Sequence, residues 1–528
     1  MLDQRLTFSS QVDYAVSKAQ RATYKLSGLM KGREGIPVQL GIILYKTLVR
    51  SHLEYAIPAW ATIVDKDVTR LEKAQTNCLS MIIGAKANSS VAAMEVITDV
   101  IPFRIRTREL CMREFCRIMS KADDHILKKL VDESTRKGLQ FCPLEYMRIM
   151  SKQLISVIGE CRIVNDRVYR GCNQSTRCTS VSRLDIVQRG SYEVHVVNEF
   201  LTNTIGKSVL IFTDGSVRCI EERAVGPGAC AAVMFPLQGD GVEVTFTKAV
   251  GKLIDSVSCE VEGIILGLEK VVDYFNATIY RKFDEVLYIL CDCDRAIDYV
   301  LDKNLECSSA LKRRFDAYVN QLEQAKVKVF LVWIPSHSNI QGNEIADTLA
   351  KQVAKDIETN RIALPDVIKL NSAFTLASDI ARQSWQRKWD QGCSGTLTKQ
   401  LIPAVCSKVC FPHTRNVGIS YCRMLLNNTM LNEDSYRTQT NDTPVCDCGM
   451  DYESVEHFLL ECQLHSKYRN IMYEDINEVL QLRKESLHVK ISLGLLLGYQ
   501  WEDGVSKSQD SKIKKSVFQF IASTGRKL

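Results

Sequence analysis

The spacing of apolar and polar residues divides the chain into stretches of different predicted structure. In residues 1–135, apolar residues recur at intervals of three and four, which is typical of amphipathic helices. An example is the run Ile42, Leu44, Tyr45, Leu48, Val49 and Leu53. The pattern weakens after residue 135, and residues 170–183 are small and polar, as expected of a connector. From about 207 to 356, short β-rich runs alternate with turns and a few helical segments, which predicts an α/β domain.

These changes of pattern predict five regions. A length of 528 residues, at about 150 residues per domain, is compatible with several folding units. The regions are an all-helical part at 1–135, a connector at 136–204, the α/β domain at 205–358, a helical connecting part at 359–440 and a small helical part with cysteine and histidine at 441–528.

Composition and charge restrict the class of protein. Hydrophobic residues at 45% and charged residues at 25% are ordinary for a globular chain. The net charge of +6 is a weak argument for a polyanionic partner. Residues 1–50 hold eight basic and three acidic residues, an excess that fits either a nucleic-acid face or a solvated helix surface.

Targeting signals and cysteine usage predict an intracellular protein, in the nucleus or the cytoplasm, that is neither secreted nor bound to a membrane. We find no signal segment at the start and no apolar run of about 18 residues. The 20 cysteines are neither dense nor regularly spaced, so we expect reduced thiols, a few of them metal ligands, rather than disulfides.

Acidic residues recur next to the predicted strands and helices of the α/β domain. Asp214 lies in a predicted turn, 213–216, directly after the apolar strand 209–212. Glu260 lies in the first turn of a helix, Asp292 follows the strand 286–290, and Asp347 lies in the first turns of the last helix. Each acid alone fits a turn or a helix cap. Like charges crowded into one cleft would require cations, and Mg²⁺ is the expected one because it prefers oxygen ligands.

The order of elements and five short motifs resemble the type 1 ribonuclease H (RNase H) family. The motifs are Thr213–Ser216, Cys259-Glu260, Asp292-Cys293, Trp333–His337 and Gly342–Asp347. The departures from the family pattern are Cys259, Gly263 and Cys293, all of them small residues. The resemblance implies a mixed five-stranded sheet with helices, as the central domain between helical flanking regions.

The same resemblance implies a function and a set of site residues. Two Mg²⁺ ions, or Mn²⁺ instead, would be held by four carboxylates: Asp214, Glu260, Asp292 and Asp347. His337 would assist proton transfer or product departure. The implied substrate is an RNA–DNA hybrid, whose 2′-hydroxyl groups would be read near Gly215, Ser216 and Asn343.

The flanking regions resemble the polyproteins of non-LTR retrotransposons. Residues 44–55 with Trp60 resemble the thumb region of their reverse transcriptases, although palm and fingers are absent, and residues 520–526 resemble their C-terminal tail. This thumb-like part would be a leftover helical bundle or a grip for nucleic acid. An intact reverse transcriptase acting in trans is an expected partner.

A cysteine and histidine cluster near residue 450 has donor types that zinc takes. The spacing C-x-C-x8-H-x4-C comprises Cys446, Cys448, His457 and Cys462, with His465 as a substitute ligand. The first two cysteines are closer in sequence than is usual, so both structural Zn²⁺ and scattered thiols remain open. The whole cluster also resembles the terminal cysteine-histidine motif of the retrotransposon proteins.

These features predict a metal-dependent endonuclease that hydrolyses the RNA strand of RNA–DNA hybrids and lacks a polymerase palm. The alternatives are a domesticated nucleic-acid-binding protein whose site is catalytically idle, and a zinc-dependent interaction module.

Overall fold

The computed structural model divides into two compact units. It describes residues 7–31, 35–137, 142–159, 161–165, 181–186, 194–219, 225–236, 243–277, 286–301, 310–359, 361–362, 364, 367–480, 491–499, 505–526 and 528. One unit comprises 1–111, 139–147 and 380–528, and the other comprises 112–138 and 148–379. The five region boundaries expected from the sequence stay predictions.

The N-terminal part is helical, as predicted. Its helices are α1 (Ser9–Leu29), α2 (Val38–Leu44), α3 (Arg50–Glu54), α4 (Ile57–Trp60), α5 (Asp65–Ile83), α6 (Val91–Ile97), α7 (Phe103–Met119) and α8 (Ile126–Lys137). Two more helices, α9 (Pro143–Met150) and α10 (Lys152–Ile158), lie in the region predicted as a connector. A π-helical turn, Tyr45–Val49, joins α2 to α3.

Among the described residues, every strand lies in the second unit. They are β1 (Arg162–Val164), β2 (Val181–Leu184), β3 (Val209–Val217), β4 (Val225–Phe235), β5 (Val244–Asp255), β6 (Val286–Cys291), β7 (Lys328–Trp333) and β8 (Val367–Lys369). The helices between and after them are α11 (Val194–Thr204), α12 (Ser256–Ala277), α13 (Asp294–Leu301), α14 (Ala310–Gln324), α15 (Gln341–Glu358) and α16 (Leu370–Gln391).

The central domain has the predicted α/β fold with a mixed sheet. The strand order is β2-β7-β6-β3-β4-β5, in which β3, β4 and β5 pair antiparallel and β3, β6, β7 and β2 pair parallel. The five predicted strands are therefore joined by a sixth, β2, from the predicted connector. Its four residues are too few for a pattern of period two to identify a strand. A separate two-stranded sheet pairs β1 with β8.

The predicted turn at 213–216 was wrong, because β3 continues through it to Val217. The backbone of these residues is paired with β4, from Thr213 opposite Ala232 to Val217 opposite Gly228. Pairing with a neighbouring strand outweighs the local preference of Asp-Gly for a turn.

Apolar side chains of α12 form much of the core on one face of this sheet. Those predicted for its buried face are buried: Val261, Ile264, Ile265, Leu268 and Val272. The helix α15 packs on the opposite face, where Ala346 and Ala350 are buried against Phe212 and Val233. The sheet is thus covered on both sides, and its strand ends are the accessible places for polar side chains.

The other unit has its own core, which combines N-terminal and C-terminal helices. Its later helices are α17 (Thr396–Leu401), α18 (Arg415–Leu425), α19 (Asn432–Arg437), α20 (Ser466–Val479), α21 (Leu493–Leu497) and α22 (Lys507–Thr524). Buried residues such as Tyr45, Trp389 and Phe520 belong to one cluster. Within the described residues, no helix combines the length and the apolar character needed to cross a membrane.

Candidate active site and candidate metal centre

Two neighbouring parallel strands place Asp214 and Asp292. In the pairing of β3 with β6, Thr213 lies opposite Cys291. Asp214 directly follows Thr213, and Asp292 directly follows Cys291. The indole Nε1 of Trp333 donates a hydrogen bond to the backbone oxygen of Asp292 over 3.0 Å. The end of β6 is thereby fixed beside the middle of β3.

A close approach of α12 to β3 adds Glu260. A Cβ atom on Gly215 would lie 2.3 Å from the backbone nitrogen of Glu260, so only glycine permits this contact. The nearby Gly215 backbone acts to lower the pKa of Glu260, against the larger effect of burial. Carboxylate oxygens of Glu260 and Asp292 and the thiol sulfur of Cys291 lie within 4.8 Å of one another.

The helix α15 brings Asp347 to the same region. Its second residue, Gly342, packs so closely on β3 that a Cβ atom there would lie 2.2 Å from the ring of Phe212. Ligand atoms of His337, Glu344 and Asp347 lie within 4.8 Å of one another. The structure therefore brings together the four predicted acids, with His337 on an exposed loop beside Asp347.

Burial and mutual repulsion raise the pKa values of three of these acids. Burial, followed by the charges of Asp292 and Asp347, raises the pKa of Asp214 to about 7. Burial, followed by Asp214 and Asp292, raises the pKa of Glu260 well above its usual value. Burial also raises the pKa of Asp292, against the effect of a hydrogen bond from Asn343. The cations near the cluster do not fully offset this burial and repulsion, since the pKa values stay raised.

The predicted nucleic-acid contacts have different surroundings. Gly215 and Ser216 lie in the partly exposed end of β3, next to Asp214. Asn343 is only 3% exposed, and its Nδ2 donates a hydrogen bond to Oδ2 of Asp292 over 3.2 Å. Burial of Asn343 favours a role in orienting Asp292, and its contact with a hybrid stays a prediction.

Three neighbours of the acids were missed by reasoning from the sequence. Lys351 Nζ lies 2.6 Å from Oδ2 of Asp347, and its charge lowers the pKa of Asp214. Glu344 faces His337 and Asp347, and Cys291 Sγ lies 3.9 Å from Glu260 Oε2. The spacing of four residues between Asp347 and Lys351 was the available signal for that pair.

The C-terminal cysteine and histidine cluster also assembles. Ligand atoms of Cys446, Cys448, His457 and Cys462 lie within 4.8 Å of one another. The sulfur atoms of Cys446 and Cys462 are 3.6 Å apart, and Cys448 Sγ is 3.2 Å from His457 Nε2. His465 lies instead edge-on against the ring of Phe458, with centroids 5.1 Å apart.

The backbone around this cluster is fixed by hydrogen bonds. The Cys446 N–H donates to the Asp451 carbonyl over 2.8 Å, which closes the turn that carries Cys448. Arg469 donates to the backbone oxygens of Leu459 and Cys462 over 2.9 and 2.7 Å. A hydrogen bond from the Met450 backbone is the largest cause that lowers the pKa of Cys448, to about 7. The cluster therefore has the donor types and the spacing that could hold a metal ion.

Comparison with known proteins identifies the central domain. The RNase H family model matches residues 206–355. Over 87 residues, the chain is 32% identical to the retrovirus-related Pol polyprotein from type-1 retrotransposable element R1 of Bradysia coprophila. This match covers 16% of the chain and only 9% of the length of that polyprotein.

Solved structures of RNase H proteins are similar to part of the chain. The RNase H1 of Halobacterium salinarum NRC-1 is 21% identical, with a TM-score of 0.21, and the match covers 28% of this chain and 98% of that one. LC11-RNase H1, solved in complex with an RNA/DNA hybrid, is 17% identical with a TM-score of 0.23 over 29% of this chain and 99% of that one. From these matches we conclude that residues 206–355 form an RNase H domain and that part of the chain is similar to a retrotransposon Pol polyprotein.

Proposed function

We propose that this chain is a metal-dependent endonuclease that hydrolyses the RNA strand of RNA–DNA hybrids. The observation that carries the proposal is the convergence of Asp214, Glu260, Asp292 and Asp347 from four separate elements. Asp347 pairs with Lys351, but burial and neighbouring acids raise the pKa values of Asp214 and Glu260, so the cluster favours a site for cations.

The donor set suits Mg²⁺, with Mn²⁺ as the alternative. All four predicted ligands are carboxylates, which hard divalent ions prefer. The pKa of Asp214 is raised first by burial and then by repulsion from Asp292 and Asp347, and cations would relieve that repulsion. We assign Asp214, Glu260, Asp292 and Asp347 to hold two such ions. When bound, a pair of these ions supplies activation of the attacking water and stabilisation of the leaving oxygen.

The remaining residues would act on the substrate and on protons. The imidazole of His337, exposed beside Asp347, would carry a proton at the departing oxygen or assist product departure. Backbone groups and the hydroxyl at Gly215 and Ser216 are placed at the strand end where 2′-hydroxyl groups of a hybrid would be read. An intracellular site of action, in the nucleus or the cytoplasm, and a reverse transcriptase acting in trans are part of this proposal.

A second metal of structural type belongs to the same proposal. Three thiols and one imidazole within 4.8 Å are the donors of a Cys₃His zinc site. Cys446 and Cys462 are buried, and His457 is 3% exposed, which fits a closed site without room for substrate. We assign Cys446, Cys448, His457 and Cys462 to a structural Zn²⁺.

A cleavage assay on a labelled RNA–DNA hybrid tests the main proposal. We expect cutting of the RNA strand by the full chain only with Mg²⁺ or Mn²⁺, and loss of cutting in Asp292→Asn. The matched control is Asp273→Asn, because Asp273 lies on the exposed side of α12 and contacts Lys270. Absence of cutting by the wild-type chain, with hybrid binding retained, would instead support the catalytically idle binding protein.

A further inference from the structure

The helix that carries Glu260 is anchored by a carboxylate on each side of that residue. Asp255, the last residue of β5, caps α12 by accepting hydrogen bonds from the backbone N–H and the hydroxyl of Ser258, both over 2.9 Å. Glu262 is buried and accepts from Lys248 Nζ over 2.7 Å and from an Arg314 guanidinium nitrogen over 2.9 Å. The position of the first turns of α12 thus depends on these two carboxylates.

The carboxylates of Asp255 and Glu262 each contact one more residue, from the segment that follows the matched RNase H domain. The Ser372 hydroxyl donates to Oδ2 of Asp255 over 3.0 Å. Lys369 Nζ lies 3.7 Å from Oε1 of Glu262. Lys369 ends β8 and Ser372 lies in the first turn of α16, and both follow residue 355, where the family match ends.

This segment is held firmly enough to act as a support. The strand β8 pairs in parallel with β1, with Ile368 opposite Ile163. Ile368, Ser372, Ala373 and Leu376 are fully buried. A buried hydroxyl and an ammonium group in fixed backbone can therefore restrict the movement of the carboxylates that they contact.

We infer that Lys369 and Ser372 are positioning residues for Glu260, so that the working nuclease includes residues 367–376. The inference rests on the proposed function, because it assumes that Glu260 binds a divalent ion. Groups behind a metal ligand commonly change metal affinity by about 10–100-fold when removed. Since Lys369 and Ser372 act through a second carboxylate and the helix backbone, we expect a smaller change, about three- to tenfold in each single variant.

Mn²⁺ binding to the full chain, followed by electron paramagnetic resonance, tests this directly. Binding to the acidic cluster is taken as the part that Asp292→Asn removes. We expect Ser372→Ala and Lys369→Gln to weaken this binding by about three- to tenfold, and Lys369→Arg to restore it. Thr375→Ala and Lys355→Gln are the controls, since the Thr375 hydroxyl bonds within α16 to Asn371 and Lys355 is exposed on α15.

The outcomes separate this inference from the proposed function. A wild-type chain that neither binds Mn²⁺ at the acidic cluster nor cuts hybrid would overturn the proposed function and the inference together. Wild-type binding that both variants retain unchanged would overturn the inference alone. If Ser372→Ala fails to fold, as judged by circular dichroism, Lys369→Gln decides, because Lys369 is partly exposed and Glu262 keeps its contacts with Lys248 and Arg314 in that variant.

Discussion

Asn343 Nδ2 lies 3.2 Å from Oδ2 of Asp292, and Asn343 is almost completely buried. The amide therefore holds one oxygen of this acid and leaves the other for a ligand. We predict that Asn343→Ala lowers kcat/KM for hybrid cleavage on the order of 10–100-fold, about 1.4–2.7 kcal/mol, because Asp292 loses its orientation. Steady-state cleavage at saturating Mg²⁺ measures this, and circular dichroism verifies the fold. Unchanged kinetics in a folded variant would assign Asn343 to packing.

The ion pair between Lys351 and Asp347 predicts competition between an ammonium group and metal ions. Nζ of Lys351 lies 2.6 Å from Oδ2 of Asp347, and more than half of the lysine side chain is exposed. Removing this cation in Lys351→Met makes the cluster more negative, so we expect half-maximal cleavage at an Mg²⁺ concentration about two- to fivefold lower. A magnesium titration of cleavage measures the midpoint. Lys355→Met is the control, and a midpoint that stays the same or rises would contradict the competition.

The sequence predicted the fold where local pattern and tertiary structure agree. The apolar face of α12, for example, has helical spacing and is buried as expected. The pattern failed at Thr213–Ser216, where pairing with β4 extends β3 through an Asp-Gly pair. It also missed β2, because a four-residue strand beside β7 has no periodicity of its own. Both errors arise from partners that are distant in the sequence.

The acids of the site could be named from the sequence because they occur in motifs with fixed intervals. Their neighbours could not be named in the same way. Cys291 was visible only as a residue flanking Asp292, yet its sulfur lies 3.9 Å from Glu260. The anchoring of Asp255 by Ser372 joins residues 117 positions apart, and no local pattern predicts such a contact. Contacts that depend on how α12 and α16 meet require the structure.

The cysteine and histidine cluster predicts one bound zinc ion, which stabilises the fold around residues 446–462. We expect the purified full chain to hold about one equivalent of Zn²⁺, and Cys448→Ser to hold almost none and to unfold at a lower temperature. Elemental analysis after dialysis and thermal unfolding measure these effects. Cys393→Ser is the control because Cys393 is exposed and belongs to no predicted ligand set. Zinc retained in full by Cys448→Ser would contradict the assigned ligand set and leave its three cysteines as scattered thiols.

The buried Glu95 predicts a pH dependence of stability that is separate from the candidate active site. Its Oε1 accepts a hydrogen bond from Gln75 over 3.2 Å, and Gln75 in turn accepts one from the Tyr45 hydroxyl. Burial raises the pKa of Glu95 to about 7, so the folded state binds a proton more tightly than the unfolded chain does. The contribution of Glu95 to the free energy of unfolding is therefore full below the pKa that this acid has in the unfolded chain. It is lost as the pH rises through about 7, the pKa of Glu95 in the folded chain.

The substitution Glu95→Gln should abolish this dependence, because the amide resembles the protonated acid and cannot ionise. We expect the wild-type chain to lose on the order of 2–3 kcal/mol of unfolding free energy, relative to Glu95→Gln, between about pH 5 and about pH 8. Urea titrations of both chains, followed by circular dichroism, measure the two unfolding free energies at each pH. The contributions of the other titrating groups cancel when one free energy is subtracted from the other. Asp13→Asn is the control, since Asp13 is an exposed acid on α1 that pairs with Arg70. Parallel pH profiles for the wild type and Glu95→Gln would show that Glu95 ionises in the folded chain as readily as in the unfolded one.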